Sequence, residues 1–311
     1  MRVLIVGGAG FLGSGIARAC VSAGHEVRVF TRPTRSLVRL EDILSDIDVV
    51  HGDFMDDHAI SEALVGMDTV VHSLSTTFPK TVIASAAYDV MSNLLPTIRL
   101  VDSCLRQDVR NIVYLSSGGT VYGQAQYLPI DEDHPRNPLS LYGLSKLTIE
   151  NYLHFIAQSQ NLAVKTLRIG NPYGIEQNIY GVQGIVGVAL GAMLRQRPFT
   201  IFGDGGNVRD YIAAEDVFKA VLAAIEYPRS LIANIGTGRG TSILELLKLI
   251  QEAANCLPLE VRHLPDRGID VRENVLDSSL ARRTLDWSPA IMLEEGIAKV
   301  VDEFWALHHR D

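Results

Sequence analysis

The sequence contains little cysteine: Cys20, Cys104 and Cys256 are the three among 311 residues. They lie far apart, so their spacing matches neither a disulfide framework nor a zinc site. We expect buried thiols in a reducing compartment, and therefore a cytoplasmic protein.

Long apolar runs and excess positive charge are also missing. The longest apolar run, residues 185–194, is about half of the roughly 20 residues that a membrane span needs. The chain opens directly on an apolar strand and a glycine turn, so we expect no leader peptide. With 36 acidic against 28 basic residues the net charge is −8, which argues against nucleic acid. No metal-binding motif or G-x-S-x-G elbow occurs, so we predict no catalytic metal and no serine hydrolase.

Apolar and helix-period segments alternate through the first half of the chain. The predicted strands, rich in Val and Ile, are residues 2–6, 26–30, 47–51, 69–73, 111–116 and 162–169. The predicted helices are residues 11–23, 57–65, 81–107 and 140–158. This βαβ alternation predicts an α/β fold with a doubly wound parallel sheet.

The pattern loosens after Asn171. Shorter helices are predicted at residues 182–195, 214–226, 242–254 and 293–307, between short strands. We expect residues 1–170 to form the main α/β domain and residues 171–311 to form most of a smaller α/β lobe, interleaved with it. A ligand-binding cleft is expected between them.

A glycine turn follows the first strand. Gly7, Gly10 and Gly13 are spaced three apart, and a helix begins near Phe11. Glycines allow a close approach of the backbone to a pyrophosphate, and the helix N-terminus attracts the anion. A tight turn without a ligand would look similar, but the strand–turn–helix context favours dinucleotide binding.

The second strand leaves the type of dinucleotide open. NAD-binding folds usually end this strand in an acidic residue, but here Thr31 and Arg32 stand there, with Arg35 nearby. An arginine at this place can bind the 2′-phosphate of NADP, stack on adenine, or be a solvated loop charge. Asp53 either accepts from the adenine amino group or caps a turn.

Tyr142 and Lys146 lie four residues apart at the start of the predicted helix 140–158, and hence on one face. A tyrosine with a pKa near 10 needs a shift worth about 4 kcal/mol to act as a base near neutrality. A neighbouring ammonium and an oxidised nicotinamide can provide it. Residues 116–123, SSGGTVYG, follow the fifth strand at the edge where α/β enzymes keep their chemistry.

Several motifs together resemble the extended short-chain dehydrogenase/reductase family. They are GGAGFLG (7–13), HGDF (51–54), VVHSLS (70–75), Asn93, SSGGTVYG, YGLSK (142–146), RIGNPYG (168–174), FGDGGNVRDYIAAEDV (202–217) and NIGTGRGTSILEL (234–246). Within the family the chain is most similar to nucleotide-sugar 4-epimerases, of UDP-glucose or UDP-N-acetylglucosamine. The resemblance implies a Rossmann fold with a C-terminal substrate-binding lobe.

The resemblance also implies a reaction through a transient 4-keto sugar, with NAD as the bound cofactor and a homodimer paired through helices 81–107 and 140–158. NADP stays open because of Thr31 and Arg32.

Site residues follow from the same resemblance. The implied catalytic residues are Tyr142, Lys146, Ser117 and Thr120. The implied cofactor-binding residues are Gly7, Gly10, Phe11, Leu12, Gly13, Thr31, Arg32, Asp53, Phe54, Leu74, Asn93, Ser116, Tyr142, Lys146, Pro172 and Tyr173. The implied substrate-binding residues are Asn171, Arg209, Arg267 and Asp270.

One position departs from the epimerase pattern. Where the epimerases carry a serine or threonine that bonds the sugar 4-oxygen, this chain has Gly118, so Ser117, Thr120 or a water must replace it. Gly119 and Thr120 stand where dehydratases carry an Asp-Glu pair and decarboxylases a Glu. An NADP-dependent nucleotide-sugar reductase and a non-catalytic dinucleotide-binding protein are the alternative functions.

Overall fold

The computed structural model describes residues 1–78, 86–181, 183–255, 259–266, 268 and 270–308. The strands are β1 (Arg2–Val6), β2 (Glu26–Thr31), β3 (Ile47–His51), β4 (Thr69–His72), β5 (Asn111–Ser117), β6 (Ala163–Ile169), β7 (Asn171–Tyr173), β8 (Phe199–Phe202), β9 (Val208–Ala213), β10 (Leu231–Ile235), β11 (Gly240–Ser242), β12 (Val261–Leu264) and β13 (Glu273–Asn274).

The helices are α1 (Phe11–Ser22), α2 (Asp57–Leu64), α3 (Ala86–Asp89), α4 (Leu95–Arg106), α5 (Leu141–Ser159), α6 (Ile185–Leu194), α7 (Ala214–Glu226), α8 (Ile243–Ala254), α9 (Ser279–Leu285) and α10 (Leu293–His308). A 3₁₀ helix covers Val38–Asp46, and a π-helical segment, Val90–Leu94, joins α3 to α4. No helix in the described ranges has the length and apolar character to cross a bilayer.

The main sheet has seven parallel strands in the order β3-β2-β1-β4-β5-β6-β10. Its strands are continuous apolar runs because both faces are buried. In β1, Val3 and Ile5 belong to the core with α1 and α7, whereas Leu4 and Val6 belong to the core with α2, α4 and α5. This is the predicted doubly wound Rossmann fold.

The strand order reverses at β1, which lies between β2 and β4. Ligands of such sheets bind where the carboxyl ends of the two diverging strands leave a crevice. Gly7 follows β1, Ser73 follows β4 and Ser117 ends β5. The predicted site residues are therefore brought to one edge of the sheet.

The C-terminal half has its own core, formed mainly by α6, α8 and α10. Beside it lie a sheet of β7, β9, β11 and β13 and a parallel pair of β8 and β12. Two elements of this half join the first core: β10 pairs with β6, and α7 packs on α1. The Cβ position of Gly15 on α1 is 2.0 Å from the Phe218 ring of α7, so a side chain at residue 15 would force that ring to move.

Two of the three cysteines lie in the described ranges. Cys20 and Cys104 are buried free thiols, as predicted, and burial raises the pKa of each to about 12. Cys256 lies outside the described residues.

Candidate active site

The glycine turn is built by close backbone contacts. Gly7 has a φ of +85°, which favours glycine, and the amide of Gly10 donates to the Gly7 carbonyl at 3.0 Å. A Cβ on Gly13 would lie 2.3 Å from the Gly7 oxygen. Gly10 is the N-cap of α1 and offers no side-chain cap, and Phe11 and Leu12 begin the helix. The helix N-terminus is therefore open to an anion, and the turn fits a dinucleotide pyrophosphate.

The adenosine end of this crevice carries positive charge. Thr31 is buried at the end of β2, and Arg32 beside it is exposed. The Nε atom of Arg35 is 3.4 Å from the Ala9 carbonyl oxygen, against the glycine turn. Burial, and then the charges of Arg39 and Arg32, lower the pKa of Arg35. Asp53 accepts the Met55 amide at 2.9 Å, so it caps its own turn.

The middle of the crevice is formed by loops after β4. Leu74 contacts the Cβ position of Gly7 at 3.0 Å, and lines a small cavity together with Asn93, Tyr142 and Lys146. The Asn93 Oδ1 atom accepts the Thr76 amide at 2.9 Å. Asn93 therefore fixes the loop that follows β4.

Phe54 lies in the core next to His72, with ring centroids 5.2 Å apart. Its side chain therefore serves core packing, and its contact with a cofactor stays a prediction.

Tyr142, Lys146 and Ser117 meet beside this cavity. Ser140 caps α5 by accepting the Gly143 amide, and a Cβ on Gly143 would lie 2.6 Å from the Thr120 carbonyl oxygen. The first turn of α5 is thus pressed against the SSGGTVYG loop. Tyr142 is hydrogen-bonded to the Ser117 side chain. The buried Lys146 Nζ atom donates to the Leu115 carbonyl at 2.9 Å and lies 5.7 Å from the Tyr142 ring centroid.

Burial dominates the electrostatics of the pair. Burial raises the pKa of Tyr142 to about 12, and the Ser117 hydrogen bond opposes this only in part. Burial also lowers the pKa of Lys146 to about 8, against the attraction of Glu150 and Asp89. The Lys146 ammonium is not among the groups that shift the pKa of Tyr142, so burial dominates the titration of the phenol.

The two hydroxyl candidates for the missing serine are placed differently. Ser117 bonds Tyr142, whereas the buried Thr120 Oγ1 atom has no hydrogen-bond partner in the described part of the chain. A Cβ on Gly118 would be 2.6 Å from Leu276 Cδ1 and 3.0 Å from the Arg168 carbonyl oxygen, so this residue faces the packed interior.

The residues after β6 divide between cleft and core. The Asn171 Oδ1 atom lies 3.1 Å from the Cβ position of Gly119, so Asn171 borders the SSGGTVYG loop. Pro172 is half-buried, and its carbonyl accepts Gln177 Nε2 at 2.8 Å. The prediction that the Tyr173 side chain lies along a nicotinamide is wrong. This side chain is 1% exposed and lies in the C-terminal core, with its hydroxyl against Gly296. Successive residues of β7 face opposite ways, which turns Tyr173 inward.

The predicted substrate residues lie on β9 and near β13. Arg209 is half-buried, donates to the Val208 carbonyl at 2.8 Å, and forms no salt bridge with the described residues. Burial lowers the pKa of Arg209, opposed by Tyr211 and Asp270. The Asp270 carbonyl accepts Gln124 Nε2 at 3.4 Å. The prediction for Arg267 lies outside the described residues.

Three charged residues near Lys146 were not predicted. Glu150 and Arg168 form a fully buried salt bridge of 2.8 Å. Asp89 is buried and accepts from Thr77 at 2.6 Å, and also from Ser145. A glutamate four residues after Lys146 and an arginine inside an apolar strand were the available signals.

The comparisons with known proteins agree with this geometry. The sequence profile of the NAD dependent epimerase/dehydratase family matches residues 3–236. The chain therefore belongs to that family. It is 34% identical over 303 residues to a putative UDP-glucose 4-epimerase of Methanocaldococcus jannaschii, covering 96% of this chain and 97% of that protein.

Solved structures extend the similarity to the whole fold. UDP-glucose 4-epimerase of Thermotoga maritima with UDP-glucose matches with a TM-score of 0.93 and 31% identity, over 100% of both chains. The Thermus thermophilus UDP-glucose 4-epimerase in complex with NAD matches with a TM-score of 0.90 and 32% identity, over 98% of this chain and 99% of that one.

Proposed function

We propose that this chain is an NAD-dependent 4-epimerase of nucleotide sugars, with UDP-hexoses or UDP-N-acetylhexosamines as the substrate class. The observation that carries the proposal is the meeting of Ser117, at the end of β5, with Tyr142 and Lys146 on α5. Tyr142 and Lys146 line the same cavity as Leu74, which packs against Gly7 of the glycine turn. The named relatives, which include complexes with NAD and with UDP-glucose, support both the cofactor and the substrate class.

NAD would be held by the glycine turn and the N-terminus of α1 at its pyrophosphate, with Leu74 and Lys146 farther along the crevice. When bound, it would supply the redox chemistry of the reaction, a reversible hydride transfer at C4 of the sugar. Because epimerisation has no net change of oxidation state, no dinucleotide would be consumed.

Tyr142 carries the proton. It takes the proton of the 4-hydroxyl group as C4 is oxidised. After the 4-keto sugar has rotated to present its opposite face, Tyr142 returns the proton to the 4-oxygen as C4 is reduced again. Moving its pKa from about 12 to neutrality requires roughly 7 kcal/mol of interaction with the phenolate. Lys146 and the positive charge of an oxidised nicotinamide together provide this interaction, and Ser117 holds the hydroxyl in place.

Arg209, Asn171 and Asp270 are the proposed contacts of the nucleotide diphosphate. A half-buried guanidinium without a salt bridge to the described residues is suited to a phosphate, which it can bind through two parallel hydrogen bonds. Asn171 lies between this strand and the catalytic loop, since β7 pairs with β9. The substrate would therefore span from β9 to Tyr142.

The test is an assay of the purified protein with UDP-glucose and with UDP-N-acetylglucosamine, without added dinucleotide. Interconversion of gluco and galacto forms is expected by NMR. Tyr142→Phe should lower kcat at least about a hundredfold with bound NAD unchanged, while Tyr152→Phe on the same helix should stay near wild type. If no nucleotide sugar is converted by the wild-type protein, the proposal fails.

A second candidate, an NADP-dependent nucleotide-sugar reductase, is favoured by the adenosine end. NAD-binding folds usually carry an acidic residue at the end of β2, which would repel a 2′-phosphate, but this chain has Thr31 there. Arg32 and Arg35 lie beside it. This function requires one NADPH oxidised per 4-keto sugar reduced. A cofactor that stays bound and is not consumed during turnover excludes it.

We also propose a homodimer paired through α4 and α5. The helical stretch from α3 through the π-helical segment to the start of α4 exposes Tyr88, Val90, Met91 and Leu95, and α5 exposes Leu144 and Phe155. The free thiols of Cys20 and Cys104 suit a cytoplasmic location.

A further inference from the structure

Glu150 lies four residues after Lys146 on α5, and the two side chains share a helix face. Its carboxylate is buried and held by Arg168, whose Nη2 atom donates at 2.8 Å and whose Nε atom donates at 3.1 Å. Arg168 is itself fully buried on β6. A buried carboxylate that accepts two hydrogen bonds from one guanidinium group is held in a single position.

Glu150 connects three elements around the catalytic group. Ser116, the residue before Ser117, donates its hydroxyl hydrogen to Glu150. Arg168 Nη1 donates to the Tyr122 hydroxyl at 2.8 Å, and Tyr122 donates to Asn234 at 2.6 Å. The carboxylate thus fixes the end of β5 against α5 and β6. Ser117 lies at this end of β5 and Lys146 lies on α5, so the carboxylate helps to position both.

Charges of both signs face Lys146. Glu150 and Asp89 attract its ammonium group. On the sheet side the Nζ atom lies 4.9 Å from the Tyr114 ring centroid, and His72 is buried beside it with a pKa lowered to about 3 by burial and by the Lys146 charge. Arg168 is the remaining cation of the group, and its charge is neutralised by Glu150. Glu150 and Asp89 therefore both offset the burial of Lys146, and Glu150 is the one that lies one turn away on the same helix.

We propose that Glu150 is a positioning residue of the epimerase: its carboxylate, fixed by Arg168 and Ser116, keeps the Lys146 ammonium charged and in place beneath Tyr142. This proposal depends on the proposed function, because it assigns Glu150 a part in activating Tyr142. A merely structural salt bridge would stabilise the fold without affecting the titration of either group.

The test compares Glu150→Gln with the wild-type holoenzyme over a range of pH. Loss of the negative charge should move the alkaline limb of kcat, where Lys146 loses its proton, about one pH unit lower. At neutral pH kcat should fall roughly tenfold while KM changes less than about twofold. An alkaline limb at the wild-type pH in a folded variant overturns the proposal.

Ultraviolet titration of the tyrosinate signal gives a readout that needs no turnover. The component that disappears in Tyr142→Phe should titrate about one pH unit higher in Glu150→Gln than in the wild-type holoenzyme. No shift of this component contradicts the role of Glu150 even if the chain epimerises no sugar. A shift without wild-type turnover would instead place the fault in the proposed function.

Tyr122→Phe is the matched control, because it removes a hydrogen bond of Arg168 on the far side of the salt bridge. It should lower stability and leave the alkaline limb in place. Glu150→Asp keeps the charge one methylene farther from Lys146 and should displace the limb less than Gln. If Glu150→Gln fails to fold because Arg168 is unpaired, Glu150→Gln combined with Arg168→Met decides, since it removes the carboxylate without leaving a buried charge unpaired. An unchanged limb and an unchanged tyrosinate titration in that folded variant refute the proposal.

Discussion

The hydroxyl next to Tyr142 comes from Ser117, and the glycine that follows it serves packing. Gly118 is enclosed by Leu276 and the Arg168 carbonyl, so a side chain there would point into the interior and away from the cavity. The sequence motif suggests a missing catalytic group at residue 118. The structure favours Ser117 for this role, because its side chain, at the end of β5, is the one that interacts with the tyrosine.

Ser117→Ala should therefore lower kcat roughly ten- to a hundredfold with little change in KM, since it removes a hydrogen bond to the catalytic phenol. Steady-state kinetics at neutral pH measure it. Gly118→Ser should not rescue this variant, and on its own should lower the Tm because the new Cβ displaces Leu276. Full activity of Ser117→Ala would transfer the role to Thr120.

Among the elements, the turn between β1 and α1 depends most strictly on backbone spacing. Gly13→Ala would place a Cβ 2.3 Å from a main-chain oxygen that cannot move without opening the turn. We expect at least a tenfold loss of NAD affinity by calorimetry.

Gly24→Ala is the matched control for the turn. Gly24 also has a positive φ, of +78°, but nothing lies within 4 Å of its Cβ position. This variant should lose about 1 kcal/mol of stability and keep its affinity for NAD. Equal NAD affinities of the Gly13 and Gly24 variants would contradict the role of the turn.

Long elements were predictable from the sequence, and short ones were not. The buried strands and α1, α2, α5, α7 and α8 lie within about two residues of the predicted ranges, since their apolar periodicity extends over several turns or the whole strand. The π-helical segment depends on tertiary contacts, such as those of Thr76 with Ser92 and Asn93, which no local pattern contains. The 3₁₀ helix and the three-residue strand β7 are also short segments whose conformation depends on contacts with distant parts of the chain. For this reason the sequence did not predict the orientation of Tyr173 on β7.

The candidate site was predictable in its motifs and not in its electrostatics. Spacing placed Tyr142 and Lys146 on one helix face, as the structure has them. Burial raises the pKa of the phenol, and burial depends on the packing of α5 against β5, which spacing along the sequence does not reveal. The pairing of Glu150 with Arg168 joins residues 18 apart across two elements, and single-residue patterns do not reveal it.

For the whole molecule, the exposed apolar residues of α5 and of the helical stretch from α3 to the start of α4 predict a dimer. Met91→Glu combined with Phe155→Glu should convert it to a monomer in analytical ultracentrifugation, because each charge would be buried at the interface. Leu307→Glu, at an exposed position of α10, should leave the mass unchanged. A wild-type protein that sediments as a monomer would contradict this surface as an interface.

The pairing of β10 with β6 has a consequence for how the chain matures. A fragment that ends near residue 170 lacks both the edge strand and the helix whose Phe218 covers Gly15, so it would expose an unpaired strand and an apolar helix face. The first domain therefore cannot complete its sheet during translation until residues up to about 235 have left the ribosome. Attempts to express that half as an independent module should yield aggregates.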